Sequence, residues 1–149
     1  MYLFGLTDHR HVATALALVA SADILRDGDP EAIDKWYAEA YRISVKNDGL
    51  YHEETVEILN GHAAFLSQAK MIEGAEVFKL LAEVQVNKSP GTINFESVAK
   101  YYTKAGEILV SHKEYDEGFL IFRRALKWYR KGDFEEYEKL EAYGEATNI

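Results

Sequence analysis

Apolar residues recur every three to four positions along most of the chain, which is the spacing of one face of an α-helix. β-Branched residues are scattered, and no hairpin-type dipeptide lies between alternating runs, so strands find little support. The pattern therefore predicts an all-α protein built as a series of antiparallel helix pairs. The predicted helices lie near residues 8–27, 30–46, 53–68, 71–86, 94–112, 114–130 and 134–146.

Glycine, proline and asparagine divide these helices from one another. Gly49 is suited to end the second helix, and the run at residues 87–91 is the strongest loop signal in the chain. A further break is predicted at residues 130–133, because Asp133 and Glu136 have the spacing of a capping box. The last predicted helix is therefore a separate element.

The length and the amino-acid composition are those of one ordinary globular domain. With 149 residues, of which 48% are apolar and 28% charged, the chain suits a single domain spanning residues 1–149. It has no cysteine, which excludes disulfides and thiolate metal sites. We recognise no signal peptide, and the apolar run at residues 15–20 is too short to span a membrane. We expect a cytoplasmic protein without a membrane partner.

The net charge of −8 argues against binding to a phosphate backbone. The main basic group covers two helical turns and consists of Arg123, Arg124, Lys127, Arg130 and Lys131. An acidic run follows it directly, so we interpret the group as a solvated helix face. We expect no nucleic-acid partner.

The sequence contains no catalytic or cofactor-binding signature. The motifs HExxH, GxGxxG and GxxxxGK are absent, so we predict no enzyme activity, no cofactor and no metal site. His9 and His11 would lie on different sides of a helix, and a helix start at Asp8 is preferred to a metal site there. His62 is interpreted as a structural histidine at a helix contact.

A helix-pair unit recurs three times along the chain. Its second helix carries a small residue and, four positions on, an aromatic residue: Ala32 and Trp36, Gly74 and Phe78, Gly118 and Phe122. The aromatic residues are 42 and 44 positions apart, and twelve positions before the small residues stand Ala20, His62 and Gly106. Glycine inside a helix costs about 1 kcal/mol relative to alanine. We therefore predict that Gly106 and Gly118 let two helices approach closely.

The third unit resembles the tetratricopeptide repeat over residues 99–126. The matching residues are Tyr102, Ala105, Gly106, Leu109, Gly118, Phe122 and Ala125. The period is longer than the family's usual length of about 34 residues, and Asp23 stands in the first unit where an aromatic residue is expected. The resemblance implies antiparallel helix pairs stacked as a short α-solenoid, closed by a C-terminal capping helix at residues 134–146.

The resemblance also implies a binding surface. In this family the first helices line a concave groove, where some members hold the terminal carboxylate of a peptide with Lys and Asn side chains. The matching residues are Asn60, Lys100 and Lys104, of which the two lysines share one helical face. Other residues expected to face the groove are Ala63, Leu66, Ser67, Glu107, Val110 and Ser111. The alternative is that Lys100 and Lys104 are ordinary solvated charges.

Two functions fit these observations. One is an adaptor that binds a protein or peptide partner, which predicts an open groove. The other is a ligand- or peptide-sensing domain of a bacterial-type transcription regulator or signalling protein, which predicts a closed pocket. Self-association into a homo-oligomer is compatible with both, because open solenoid ends and the apolar residues 1–6 can pair between copies.

Overall fold

The computed structural model describes the backbone of residues 9–88 and 90–147, and the side chains of these ranges up to residue 133. Within them the protein is all-helical, has no strand and packs neighbouring helices against each other, which confirms the predicted all-α fold. The α-helices are α1 (Arg10–Leu25), α2 (Pro30–Asp48), α3 (Glu53–Gln68), α4 (Glu73–Lys88), α5 (Phe95–Ser111) and α6 (Tyr115–Thr147). A 3-10 turn, Pro90–Thr92, follows α4.

The helices form two compact units, Met1–Val77 and Phe78–Ile149, whose boundary falls inside α4. The core of the first unit contains Ala13, Ala20, Ile33, Tyr37, Ala40, Ile43, Ile58, Phe65 and Leu66. In α5 and α6 of the second unit, the buried apolar residues include Val98, Ala99, Tyr102, Ala105, Ile108, Leu109, Ile121 and Ala125. A single domain over residues 1–149 stays a prediction.

The helices α1, α3 and α5 all end in the same backbone motif. Asp27, Lys70 and Lys113 follow these helices in the left-handed conformation, with φ angles of 56°, 58° and 65°. The N–H of the next residue donates to a carbonyl five residues back: Gly28 to Asp23 at 2.8 Å, Met71 to Leu66 at 2.9 Å, and Glu114 to Leu109 at 2.9 Å. These bonds define a Schellman motif. The three left-handed residues are 43 positions apart, so the structure repeats with that period.

The helices α1 and α3 also begin in the same way. His9 and His52 are their N-caps, and each Nδ1 accepts a hydrogen bond from the backbone N–H two residues on, at 3.2 Å from His11 and 3.1 Å from Glu54. The observed cap of α1 is therefore His9, whereas the predicted start at Asp8 lies outside the described residues. Helix capping, which satisfies an otherwise unpaired N–H, accounts for both histidines.

Gly106 in α5 and Gly118 in α6 lie at a close contact between the two helices, as predicted. A Cβ atom on Gly106 would lie 2.6 Å from Cε1 of Phe122, and one on Gly118 would lie 2.8 Å from Cγ2 of Val110. Both distances are shorter than packed carbon atoms tolerate. Glycine at these positions allows the helices to pack at this distance, which offsets its low helix propensity.

Helix α6 runs without a break from Tyr115 to Thr147, so the predicted break at residues 130–133 is wrong. Gly132 faces α5 instead of ending the helix, because a Cβ atom there would lie 3.2 Å from Cβ of Phe95. It is another glycine at a close contact between helices. The predicted capping helix at residues 134–146 is the C-terminal part of α6.

The first unit joins its helices partly through polar groups. Asp23 on α1 is 7% exposed and accepts hydrogen bonds from Nε1 of Trp36 at 3.2 Å and from Nε of Arg26 at 2.5 Å. Between α2 and α3, Nε2 of His62 donates to Oδ1 of Asp34 at 2.6 Å. At the position where the sequence resemblance predicts an aromatic residue, Asp23 accepts a bond from the indole of the next helix.

Candidate binding cleft between helices α1 and α3

A half-open cleft of about 230 Å³ lies between α1 and α3 in the first unit. Its lining residues are Thr14, Ala17, Leu18, Ser21, Tyr37, Glu54, Glu57, Ile58 and Gly61. Leu18 and Ser21 are exposed on α1, and Glu57 is exposed on α3. The cleft therefore presents apolar and polar groups side by side, as sites for peptides and small ligands do.

Gly61 lines the cleft at a close contact with Tyr37. It lies in the interior of α3, where glycine costs about 1 kcal/mol relative to alanine. A Cβ atom there would lie 3.3 Å from the Tyr37 ring. Tyr37 is itself buried, and Gly61 and Tyr37 both border the cleft. The sequence signal for this site was a glycine in the middle of a predicted helix, and the cleft was not predicted from it.

The charged groups of the cleft are carboxylates. Oγ1 of Thr14 donates to Oε1 of Glu54 at 2.9 Å, which connects α1 with α3. Glu57, one helical turn further along α3, adds a second carboxylate, and no lysine or arginine is among the lining residues. The site is therefore acidic, and it favours a cationic group over an anionic one.

A hydrogen-bonded polar pair, His62 and Asp34, contacts the cleft residue Tyr37. Tyr37, which lines the cleft, is stacked on His62 with ring centroids 5.2 Å apart. His62 is 7% exposed and bonds to Asp34, so the interpretation as a structural histidine is confirmed. Burial with a satisfied hydrogen bond fixes the imidazole and, through stacking, the position of the tyrosine.

The residues predicted on α3 divide into two groups. Ala63 is 1% exposed and Leu66 is completely buried, so neither offers surface to a partner and their predicted place in the groove is wrong. Asn60 and Ser67 are exposed. The Asn60 side-chain amide donates to the carbonyl of Val56 at 3.1 Å, along its own helix.

This error is a shift of one residue. Pairing Gly74 with Gly118 makes His62 the counterpart of Gly106, whereas the 43-residue spacing of the helix ends makes Ala63 its counterpart. Ala63 is accordingly buried at the helix contact. The α3 residues equivalent to Lys100, Lys104, Glu107 and Ser111 are Glu57, Gly61, Ala64 and Gln68. Two of these four, Glu57 and Gly61, line the cleft.

The residues predicted on α5 share one exposed face of the second unit. Lys100, Lys104, Glu107 and Ser111 are all exposed, whereas Val110 is half-buried. Nζ of Lys100 lies 3.2 Å from Oε1 of Glu96, and Nζ of Lys104 lies 6.0 Å from the centre of the Phe78 ring. Oγ of Ser111 donates to the carbonyl of Ile108 at 2.7 Å. Binding of a peptide carboxylate by the two lysines stays a prediction.

One group of side chains has the composition of a metal site. Asp48, His52 and Glu54 each bring one potential ligand atom within 4.8 Å of the others. All three have partners: Nη2 of Arg10 lies 3.1 Å from Asp48, the Glu54 N–H donates to His52, and Thr14 donates to Glu54. An ion pair, a helix cap and a contact between α1 and α3 account for the group.

Comparison of the chain with models of known protein families and with curated protein sequences finds no match. Among the helices of the described ranges, none is long and apolar enough to cross a membrane. The features of the chain that bear on function are therefore the cleft and the recurring helix ends.

Proposed function

We propose that the protein is a tetratricopeptide-like adaptor that binds a protein or peptide segment in the α1–α3 cleft. The observation that carries the proposal is the cleft itself, which lies on the exposed faces of two first helices. The recurring helix ends support membership of a helical-repeat class with a 43-residue period. A half-open site suits an extended segment better than it suits an enclosed small ligand.

The chemistry of the cleft defines the segment. Glu54 and Glu57 attract a lysine or arginine side chain of the bound segment. Leu18 is 65% exposed, and an apolar residue next to that lysine or arginine would remove its surface from water. The same carboxylates repel the C-terminal carboxylate of a peptide. We therefore propose an internal or N-terminal segment with a basic residue beside an apolar one, and not a C-terminal carboxylate, as the occupant of this cleft.

The test is a selection from a displayed library of random peptides on the immobilised wild-type chain. We expect enrichment of peptides in which Lys or Arg stands next to an apolar residue. The affinity of a synthetic enriched peptide is then measured by fluorescence anisotropy. Glu57→Lys should weaken binding about tenfold by replacing attraction with repulsion, and Ser21→Trp should abolish it by filling the cleft.

Two matched variants locate the binding. Glu83→Lys makes the same charge change on an exposed position of α4 outside the cleft and should leave the affinity unchanged. Lys100→Glu with Lys104→Glu tests the face of α5. If only this double variant loses binding, the adaptor proposal stands and the cleft is the wrong site. If no peptide is enriched, the adaptor proposal fails, and a thermal-shift screen of small ligands tests the sensor alternative.

A further inference from the structure

An exposed side of α6 is apolar and basic. Phe119 and Leu120 are 61% and 60% exposed, and Leu126 is 46% exposed. A shallow depression of about 440 Å³ on this side is lined by Leu120, Arg123, Arg124, Leu126, Lys127 and Arg130. Within the side chains that the structure describes, these cations have no carboxylate at ion-pair distance. The face thus combines exposed apolar area with positive charge that is not neutralised there.

The sequence of the same helix changes sign at Gly132. The fourteen residues 118–131 contain five cations and no carboxylate. Residues 133–146 contain one lysine and six carboxylates, Asp133, Glu135, Glu136, Glu138, Glu141 and Glu145. Because α6 is continuous through this point, the two segments lie end to end on one rod and cannot fold onto each other.

The acidic segment also lies at the unfavourable end of the helix. The C-terminal end of a helix carries partial negative charge, which cations stabilise and carboxylates oppose. The last turn of α6 has no basic residue. A cationic surface brought from outside would therefore relieve both the helix dipole and the repulsion among the carboxylates.

We infer that α6 pairs with α6 of a second copy in antiparallel orientation. A two-fold axis then places the basic segment of each copy along the acidic segment of the other, whereas a parallel pair would place like charges together. The same pairing covers Phe119, Leu120 and Leu126, which removes their apolar surface from water. The occupant of the basic face is thus a second copy of this chain, at a site distinct from the α1–α3 cleft.

The test is the mass of the full chain in solution, measured by size-exclusion chromatography with light scattering. We expect twice the one-chain mass of 17.0 kDa at low salt, and dissociation as salt screens the charges. Arg123→Glu with Lys127→Glu reverses the basic face, and Glu138→Lys with Glu141→Lys reverses the acidic segment. Each double variant alone should have the mass of one chain, and an equimolar mixture should recover the mass of two.

Lys35→Glu with Lys88→Glu is the matched control, because it makes the same charge change at exposed positions outside α6 and should stay dimeric. Circular dichroism checks that all variants keep their helix content. A wild type with the mass of one chain overturns self-pairing and leaves an acidic helix of another protein as the occupant. A dimer that persists in both double variants, or a mixture that stays at the one-chain mass, also overturns it.

Discussion

The two units of the molecule solve the same packing problem with different chemistry. In the second unit, α5 and α6 approach through Gly106 and Gly118, and the ring of Phe122 fills the adjacent space. In the first unit, the helices are joined by a hydrogen bond that Trp36 donates to Asp23 and by one that His62 donates to Asp34. Yet the first helices of both units end in the same Schellman motif.

The comparison shows which features recur along this chain and which differ between its units. The helix ends fix the length and direction of each first helix, so they recur at equal spacing. The contacts between helices need only fill space and satisfy buried polar groups, so glycines and apolar rings serve in one unit and bonded polar pairs in the other. The polar solution specifies one geometry, because a shift of the helices would leave a buried group without a partner.

The largest effect is expected where only glycine fits. Gly106→Leu should lower the free energy of unfolding by about 3 kcal/mol, because its side chain would overlap the Phe122 ring and force the helices apart. Chemical denaturation followed by circular dichroism measures the loss. Gly91→Leu is the control, since no atom lies within 4 Å of a Cβ placed there, and it should change stability by less than about 0.5 kcal/mol.

A second change sharpens this result. Phe122→Ala combined with Gly106→Leu exchanges volume across the contact, so the double variant should be clearly more stable than the sum of the single losses predicts. Additive losses would show that the two residues do not share a contact, and the account of Gly106 would be wrong.

An intermediate effect is expected in the first unit. Asp34→Ala removes the acceptor of His62, which is 7% exposed, and should lower the free energy of unfolding by about 2 kcal/mol. Replacing both residues, as in Asp34→Ala with His62→Leu, should cost less than the two single changes added together, because no buried polar group is left without a partner. Lys35→Ala, on the exposed side of the same helix, is the control with little effect. Strict additivity in this cycle would show that the hydrogen bond between His62 and Asp34 does not contribute to stability.

The smallest effect concerns Tyr41, which is half-buried against the core of the first unit. Burial raises the pKa of Tyr41 above its ordinary value of 10.0 by disfavouring the phenolate. The folded state therefore binds the phenolic proton more tightly than the unfolded state does. The stability that this provides is complete below pH 10.0 and is lost as the pH rises through the folded-state pKa.

Phenolate absorbance during a pH titration of wild type and Tyr41→Phe isolates this group. The difference between the two curves should have its midpoint above pH 10.0 in the folded protein. The stability of Tyr41→Phe should also fall less steeply than that of the wild type in that range. If the midpoint of the difference curve lies at or below pH 10.0, the Tyr41 hydroxyl is exposed to solvent and burial does not raise its pKa.

Much of the helical layout could be predicted from the sequence, because apolar periodicity and local turn chemistry reflect interactions within a few residues. Gly49 ends α2 with a φ angle of 89°, as its type and position indicated. Gly132 looked equivalent by local criteria and is not, because its contact with Phe95 comes from a different helix. A glycine that looks like a helix end by local criteria can therefore lie inside a helix, at a contact with another helix.

The candidate site shows the same division. On α5, residues 100, 104, 107 and 111 are exposed along one side of a regular helix, and their part in a groove stays a prediction. On α3 the alignment was wrong by one residue, and Ala63 proved to be buried. The sequence offered two adjacent small residues, Gly74 and Ala75, and nothing local indicates which of them is equivalent to Gly118.

By itself, the sequence determined that the chain forms helices, where most of them end, and that Gly106 and Gly118 need a close neighbour. Only the tertiary structure decided the register of α3, the continuity of α6 and the cleft of which Gly61 is a part. The physical reason is the sequence separation between the residues that interact. Helix periodicity and capping act between residues a few positions apart, whereas the cleft is formed by side chains from helices that are far apart in the chain and meet only when packed.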